Sequence, residues 1–115
     1  MSKLKGLYEY TEREAQNLSI GQGGNTYCDG TEVKDLVNGA VVCAITVIEA
    51  CKFSVLTAEK TLGSSQMYIS VSDKGYENSG DTFAATDELP QGITIYGRWT
   101  NVNVSAGKIM CYIGS

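Results

Sequence analysis

The chain has 115 residues, 43% of them apolar and 19% charged, with a net charge of −4. That length fits one domain able to bury about two-thirds of its unfolded surface, and an acidic balance with scattered basic residues argues against a general grip on nucleic acid, which needs clustered Lys and Arg. The lack of histidine excludes Ser-His-Asp, Cys-His and His-metal arrangements.

Residues 1–24 read as an extended N-terminal arm. The opening Met1-Ser-Lys-Leu-Lys-Gly6 lacks the apolar core of a signal peptide. Thr11 can cap one helical turn with Glu14 three residues on, but Ile20-Gly-Gln-Gly-Gly24 ends any helix. Leu7, Tyr8 and Tyr10 are poorly placed on a free tail, so the arm is expected to lie on its own domain or on a neighbour. The glycine cluster is a turn or loop: no Gly-Lys-Ser/Thr follows it and no helix begins there, as a phosphate cradle requires.

Thr31 to Val37 is expected to be a short strand, with Asn38-Gly39 as a hairpin turn. Ala40 to Ile48 is β-branched and apolar on both faces, the pattern of a central strand. It is about half the length of a membrane-spanning helix. Glu49-Ala50 marks a bend. Cys51, Phe53 and Val55 then point inward against Lys52 and Ser54. The four cysteines, 28, 43, 51 and 111, have no CxxC spacing and read as buried thiols in a reducing compartment, with no zinc site.

Residues 59–92 are expected to form a long surface loop insertion, with Gln66–Val71 as a possible strand and Asp73-Lys-Gly75 as its turn. Asp73, Glu77, Asn78, Asp81, Asp87 and Glu88 offer the oxygens that calcium prefers, but their spacing does not match an EF-hand. They read as solvated loop groups. Adjacent carboxylates such as Asp87-Glu88 point to different sides and make no facing acid/base pair. No catalytic residue, metal or cofactor is expected, and the chain is not expected to be an enzyme.

Leu89-Pro-Gln-Gly92 is a turn leading into Ile93 to Val104. Ile93, Ile95, Gly97 and Trp99 share one face, whereas Val102 and Val104 have the opposite parity. Burying all of them requires a β-bulge near Thr100-Asn101. Trp99 then packs inward with its indole N–H on a carbonyl, and Gly97 leaves room for an aromatic neighbour. Tyr96 and Arg98 face outward, the arginine able to fork onto a carboxylate of another subunit or of its own chain. Ala106-Gly107 turns into a last strand, where Ile109, Cys111 and Ile113 alternate with Lys108, Met110 and Tyr112.

Six to eight short strands, glycine turns and no convincing helix predict an all-β fold. Connections too short for crossover helices make the sheet mainly antiparallel. An antiparallel β-sandwich, jelly-roll-like, is expected over residues 25–115, with a barrel as the alternative.

Two stretches together carry a family resemblance: Tyr8-x-Tyr-x-x-Arg13-Glu-Ala-Gln-Asn-Leu-x-Ile-Gly-Gln-Gly-Gly24 and Leu89-Pro-x-Gly-Ile-Thr-Ile-Tyr-Gly-Arg-Trp-Thr100. The pairing resembles small virion proteins of tailed phages, notably those of marine cyanobacteria; residues 59–88 fall outside it. The resemblance implies a capsid decoration (cement) protein. Such a protein is assembled in the host cytoplasm and sits on the capsid exterior as a homo-oligomer, typically a trimer, with the phage major capsid protein as partner and no nucleic-acid or membrane partner. The candidate interface residues are Tyr8, Tyr10 and Arg13 of the arm, with Tyr96 and Arg98 of the domain. A neck, tail or head-fibre component is the alternative, acting as a receptor- or glycan-binding module through the 59–92 loop and Tyr68, Tyr76, Tyr96 and Trp99.

Overall fold

The computed structural model describes residues 23–37, 39–59 and 67–114. Four strands form one antiparallel sheet: β1 (Asn25–Cys28), β2 (Val41–Ala58), β3 (Glu88–Leu89) and β4 (Thr94–Gly114), in the order β1-β4-β2-β3. The all-β antiparallel class is as the sequence predicts. The strand inventory is not: in place of six to eight short strands the described residues hold two long bent ones and two short ones. All the described strands belong to one hydrogen-bonded sheet.

The expected bend at Glu49-Ala50 and the expected turn at Ala106-Gly107 are one feature. Glu49 pairs with Lys108 and Lys52 pairs with Ala106, so the ladder continues through both sites with an extra residue on β2. Gly107 sits at φ +83°, and a Cβ there would lie 2.2 Å from the Ala50 carbonyl oxygen. Only glycine lets the two backbones bend together at this closeness. Lys108 Nζ and Glu49 Oε2, 3.3 Å apart, bracket the bend on the solvent side.

Beyond the bend, β2 and β4 run as a long ribbon whose register slips repeatedly. Phe53 pairs with Val104, yet Val55 pairs with Asn103, leaving Ser54 as an extra residue. That slip reverses the expected alternation: Phe53 is fully buried, Val55 only half-buried, and Leu56 takes the inward place at 2% exposure. Thr57 pairs with Asn101 and Ala58 with Trp99, so Thr100 is the extra residue on β4. This is the bulge required by the opposite parity of Trp99 and Val102, both of which are buried.

Trp99 has two strand neighbours and both belong to β2: Ala58 on one side, Val42 on the other. The run 94–99 of β4 thus pairs with 42–46 of β2, whose other edge is held by residues 109–114. The first half of β2 is therefore central, as its apolar pattern predicts, and the ribbon closes on itself at Trp99. The core inside this closure is Val42, Ile45, Val47, Cys51, Phe53, Leu56, Trp99, Val102, Val104, Ile109 and Cys111, together with Cys28 and Val33. Burying each large apolar side chain here contributes about 1.5–3 kcal/mol before chain entropy is counted.

The remaining expectations concern segments outside the long strands. Thr31–Val37 is not a strand. Val33 makes a single bridge to Val102, and the Ala40 N–H bonds the Val37 carbonyl at 2.9 Å, so the chain turns there without forming a hairpin; Asn38 lies outside the described residues. The described part of 66–71 is not a strand either. The Val71 N–H bonds the Leu56 carbonyl at 2.9 Å, and the Ser70 hydroxyl receives the Ala58 N–H at 2.9 Å. The 59–92 segment does more than cover the surface, because Ile69, Val71, Phe83 and Leu89 pack on the core. Phe83 meets Phe53 edge-on, with ring centroids 6.0 Å apart.

Candidate functional site

Strand register lays out the outward face of the sheet around the central half of β2. One row across it is Asn25, Tyr112, Ala44 and Tyr96; the next is Tyr27, Met110, Thr46 and Thr94. Alternation turns Ile45, Val47, Ile109 and Cys111 to the opposite, buried face. None of the outward residues is charged. Tyr96 is 67% exposed and Tyr27 49%, and Thr46 and Thr94 share a hydroxyl–hydroxyl hydrogen bond of 2.9 Å. Ala44, between the two tyrosines of its row, is 1% exposed. Charge appears at the margin, in the Glu49–Lys108 and Glu59–Arg98 pairs and in Asp29, which accepts a 3.4 Å hydrogen bond from the Tyr27 hydroxyl. An aromatic, uncharged centre with a charged rim is the anatomy of a contact surface.

At Tyr96 this face runs into a groove of about 390 Å³, lined by Met67, Tyr68, Ile69, Tyr76, Tyr96 and Trp99 among others. Tyr76 is 58% exposed and Met67 38%. Tyr76 opens a single 3₁₀ turn, Tyr76–Asn78, in which the Asn78 N–H bonds the Gly75 carbonyl at 2.9 Å. The loop behind it is braced by Ser72 N–H to Phe83 O at 2.7 Å and Phe83 N–H to Asp73 O at 3.0 Å. The Trp99 indole forms the floor. It is 1% exposed and donates its N–H to the Ile69 carbonyl at 2.8 Å, the carbonyl bond its burial predicts. A Cβ on Gly97 would come within 2.7 Å of the indole, so Gly97 does make room for it.

Among the residues singled out from sequence, Tyr8, Tyr10 and Arg13 lie outside the described residues. Tyr96 is on the surface. Arg98 forks onto a carboxylate of its own chain: Nε donates to Glu59 Oε1 at 2.9 Å and Nη2 to Oε2 at 3.3 Å, while the Glu59 N–H bonds the Arg98 carbonyl at 2.8 Å. These hydrogen bonds hold the Glu59 carboxyl below its ordinary pKa and raise that of Arg98. The four aromatics expected of a glycan surface are brought together, with Trp99 as buried floor in place of an exposed platform. Tyr27, Met110 and Tyr112 were not expected at a surface site, because nothing short of the β1–β4 register places them beside Tyr96.

Of the four cysteines expected to be buried, Cys28, Cys51 and Cys111 are buried, whereas Cys43 is only half-buried. Burial pushes the Cys51 thiol up to about 11, with Glu88 adding to it, and burial pushes Cys111 up to about 12. Thiols held protonated in this way are poor nucleophiles. Among the described residues no three Cys, Asp or Glu side chains are grouped to hold a metal ion. Comparison with protein families, curated proteins and solved structures finds no match to the chain.

Proposed function

We propose that the chain is a structural virion protein of a tailed phage, a capsid decoration protein that adds to the outer face of the shell as a homo-oligomer, a trimer, and braces it. The observation that carries this reading is the uncharged outward sheet face of Tyr27, Met110, Thr46 and Tyr96, a surface suited to another protein and lacking groups for turnover. It joins the resemblance borne by residues 8–24 and 89–100. An acidic chain gains by keeping charge off such a face, since like charges opposed across an interface are costly. Weak contacts repeated over many copies give a firm lattice. The test is to mix the purified chain with expanded capsids and count bound copies. A fixed copy number per capsomer is expected, with Tyr27→Asp, which puts a charge at the centre of the face, weakening binding at least about tenfold. Absence of saturable binding, or a Tyr27→Asp variant that decorates normally, refutes the reading.

The aromatic groove favours a second reading: a neck, tail or head-fibre position from which the chain meets a receptor. Binding of the isolated chain to host cells, or its absence from heads lacking tails, favours this reading over the first.

A further inference from the structure

The geometry points to a binding site for a neutral saccharide in the groove of Tyr68, Tyr76 and Tyr96, with Met67 beside them and the Trp99 indole as floor. This deepens the second reading above and is independent of capsid binding.

The groove's volume, about 390 Å³, lies within the roughly 300–1,000 Å³ of small-ligand sites. Its remaining lining residues, Gly75, Ile95 and Ile69, are uncharged like the others. Among the described lining residues there is no cation to hold a phosphate, sulfate or carboxylate and no carboxylate to hold an amine, so this lining complements a ligand without formal charge. Its side chains are tyrosines, each with an apolar ring and a hydroxyl that donates and accepts. Sugars have the matching character: C–H faces that lie on aromatic rings and rims of hydroxyls that hydrogen-bond. Tyr76 and Tyr96 present their rings from different elements, the 3₁₀ turn and the outward face of β4, at 58% and 67% exposure. The bonds between Ser72, Asp73 and Phe83 fix the loop before any ligand arrives, and preformed sites lose less entropy on binding. The Trp99 N–H is already committed to Ile69, so the indole contributes shape while the exposed Tyr76 and Tyr96 contribute polar hydroxyls.

Trp99 is the only tryptophan of the chain and lies at the groove, so its fluorescence reports occupancy. The full chain is titrated with maltotriose, cellotriose and N,N′-diacetylchitobiose, with sialyllactose as an anionic probe and choline as a cationic one. At least one neutral sugar is expected to give a saturable change. Tyr76→Ala and Tyr96→Ala should each weaken that binding at least tenfold, whereas Tyr76→Phe retains most of it. Both tyrosines are largely exposed, so circular dichroism of the variants is expected to match the parent. Three results overturn the proposal: no saturable change with any neutral sugar, a response confined to choline or sialyllactose, or binding indifferent to both alanine substitutions. Self-association that Tyr76→Ala abolishes also overturns it, by giving the groove to a second copy. A chain that decorates capsids normally while failing every sugar titration loses this site and keeps the capsid reading.

Discussion

Trp99 donates its indole N–H to the carbonyl of Ile69 at 2.8 Å, and so ties the seam where the sheet closes to the loop that crosses it. The same indole stands between Val42 and Ala58 of β2 and carries the floor of the aromatic groove. Replacing it with phenylalanine removes the donor and leaves the Ile69 carbonyl without that partner. Trp99→Phe should cost about 2–4 kcal/mol, the sum of an unmet buried acceptor and a smaller ring. Urea unfolding measures it, and a cost below about 1 kcal/mol means that the seam does not depend on this bond.

Gly107 is the residue at which the ribbon bends. An alanine there faces both a left-handed backbone, φ +83°, and the Ala50 carbonyl oxygen 2.2 Å away. Gly107→Ala is expected to destabilise by at least about 2–3 kcal/mol, because backbone strain adds to a clash that no rotamer relieves. A thermal melt within a degree or two of the parent would show that the bend has slack.

Glu59 and Arg98 predict a shallow acid dependence. The folded Glu59 carboxyl titrates below its ordinary value, so on acidification the unfolded chain takes up the proton first. The pair's stabilisation is present above the ordinary glutamate value and lost as pH falls through the lower folded one. Both side chains are near 30% exposed, at 32% for Arg98 and 28% for Glu59, so the effect is under about 1 kcal/mol. The double-mutant cycle of Arg98→Ala with Glu59→Ala should show that coupling at pH 7 and lose it once the pH is low enough to protonate the folded Glu59 carboxyl. Coupling that is equal at both values sinks the assignment.

Cys51 and Cys111 predict the opposite limb. Their folded values are raised to about 11 and about 12 from an ordinary 9.0, so above pH 9 the unfolded chain sheds protons that the folded one keeps. Stability contributed by the two protonated thiols is complete below pH 9 and falls as pH rises toward the folded values. Melts between pH 8.5 and 10.5 should slope downward, and less steeply in Cys111→Ala. In native buffer at neutral pH, alkylation of these two thiols should be far slower than in urea; equal rates would mean that the core is open to reagent.

The part of the fold readable in the sequence is the part set by side-chain alternation. The parities of Trp99 and Val102 allow both to be buried only if β4 carries an extra residue between them, and the register has Thr100 there. The apolar run from Val41 to Val47 likewise announces a central strand. Strand length was hidden because a bend with glycine on one strand and Glu49-Ala50 on the other has the same local chemistry as two turns. Val55 was misread because Ser54 carries no sign that the ladder will skip it. Ile69, Val71 and Phe83 reach the core from irregular backbone, where periodicity gives no guide. For the site, the aromatic character of Tyr68, Tyr76 and Tyr96 was visible, but not the wider sheet face, whose rows exist only after β1 and both ends of β4 find their neighbours.

The pairing of β2 with β4 also governs how the molecule comes into being. Val41 pairs with Gly114, and no described part of β2 pairs with a strand nearer than Glu88–Leu89. On the ribosome, the apolar run of β2 is therefore made long before the strand that satisfies its hydrogen bonds. Loop closure of this length delays any reward for ordering and puts the chain in the slow, millisecond-to-second class of β-proteins. Until β4 emerges, residues 41–47 are an unpaired uncharged run with Glu49 as the nearest charge, the kind of segment through which nascent chains aggregate. High-level expression would be limited at this step, before the outward face has met any partner.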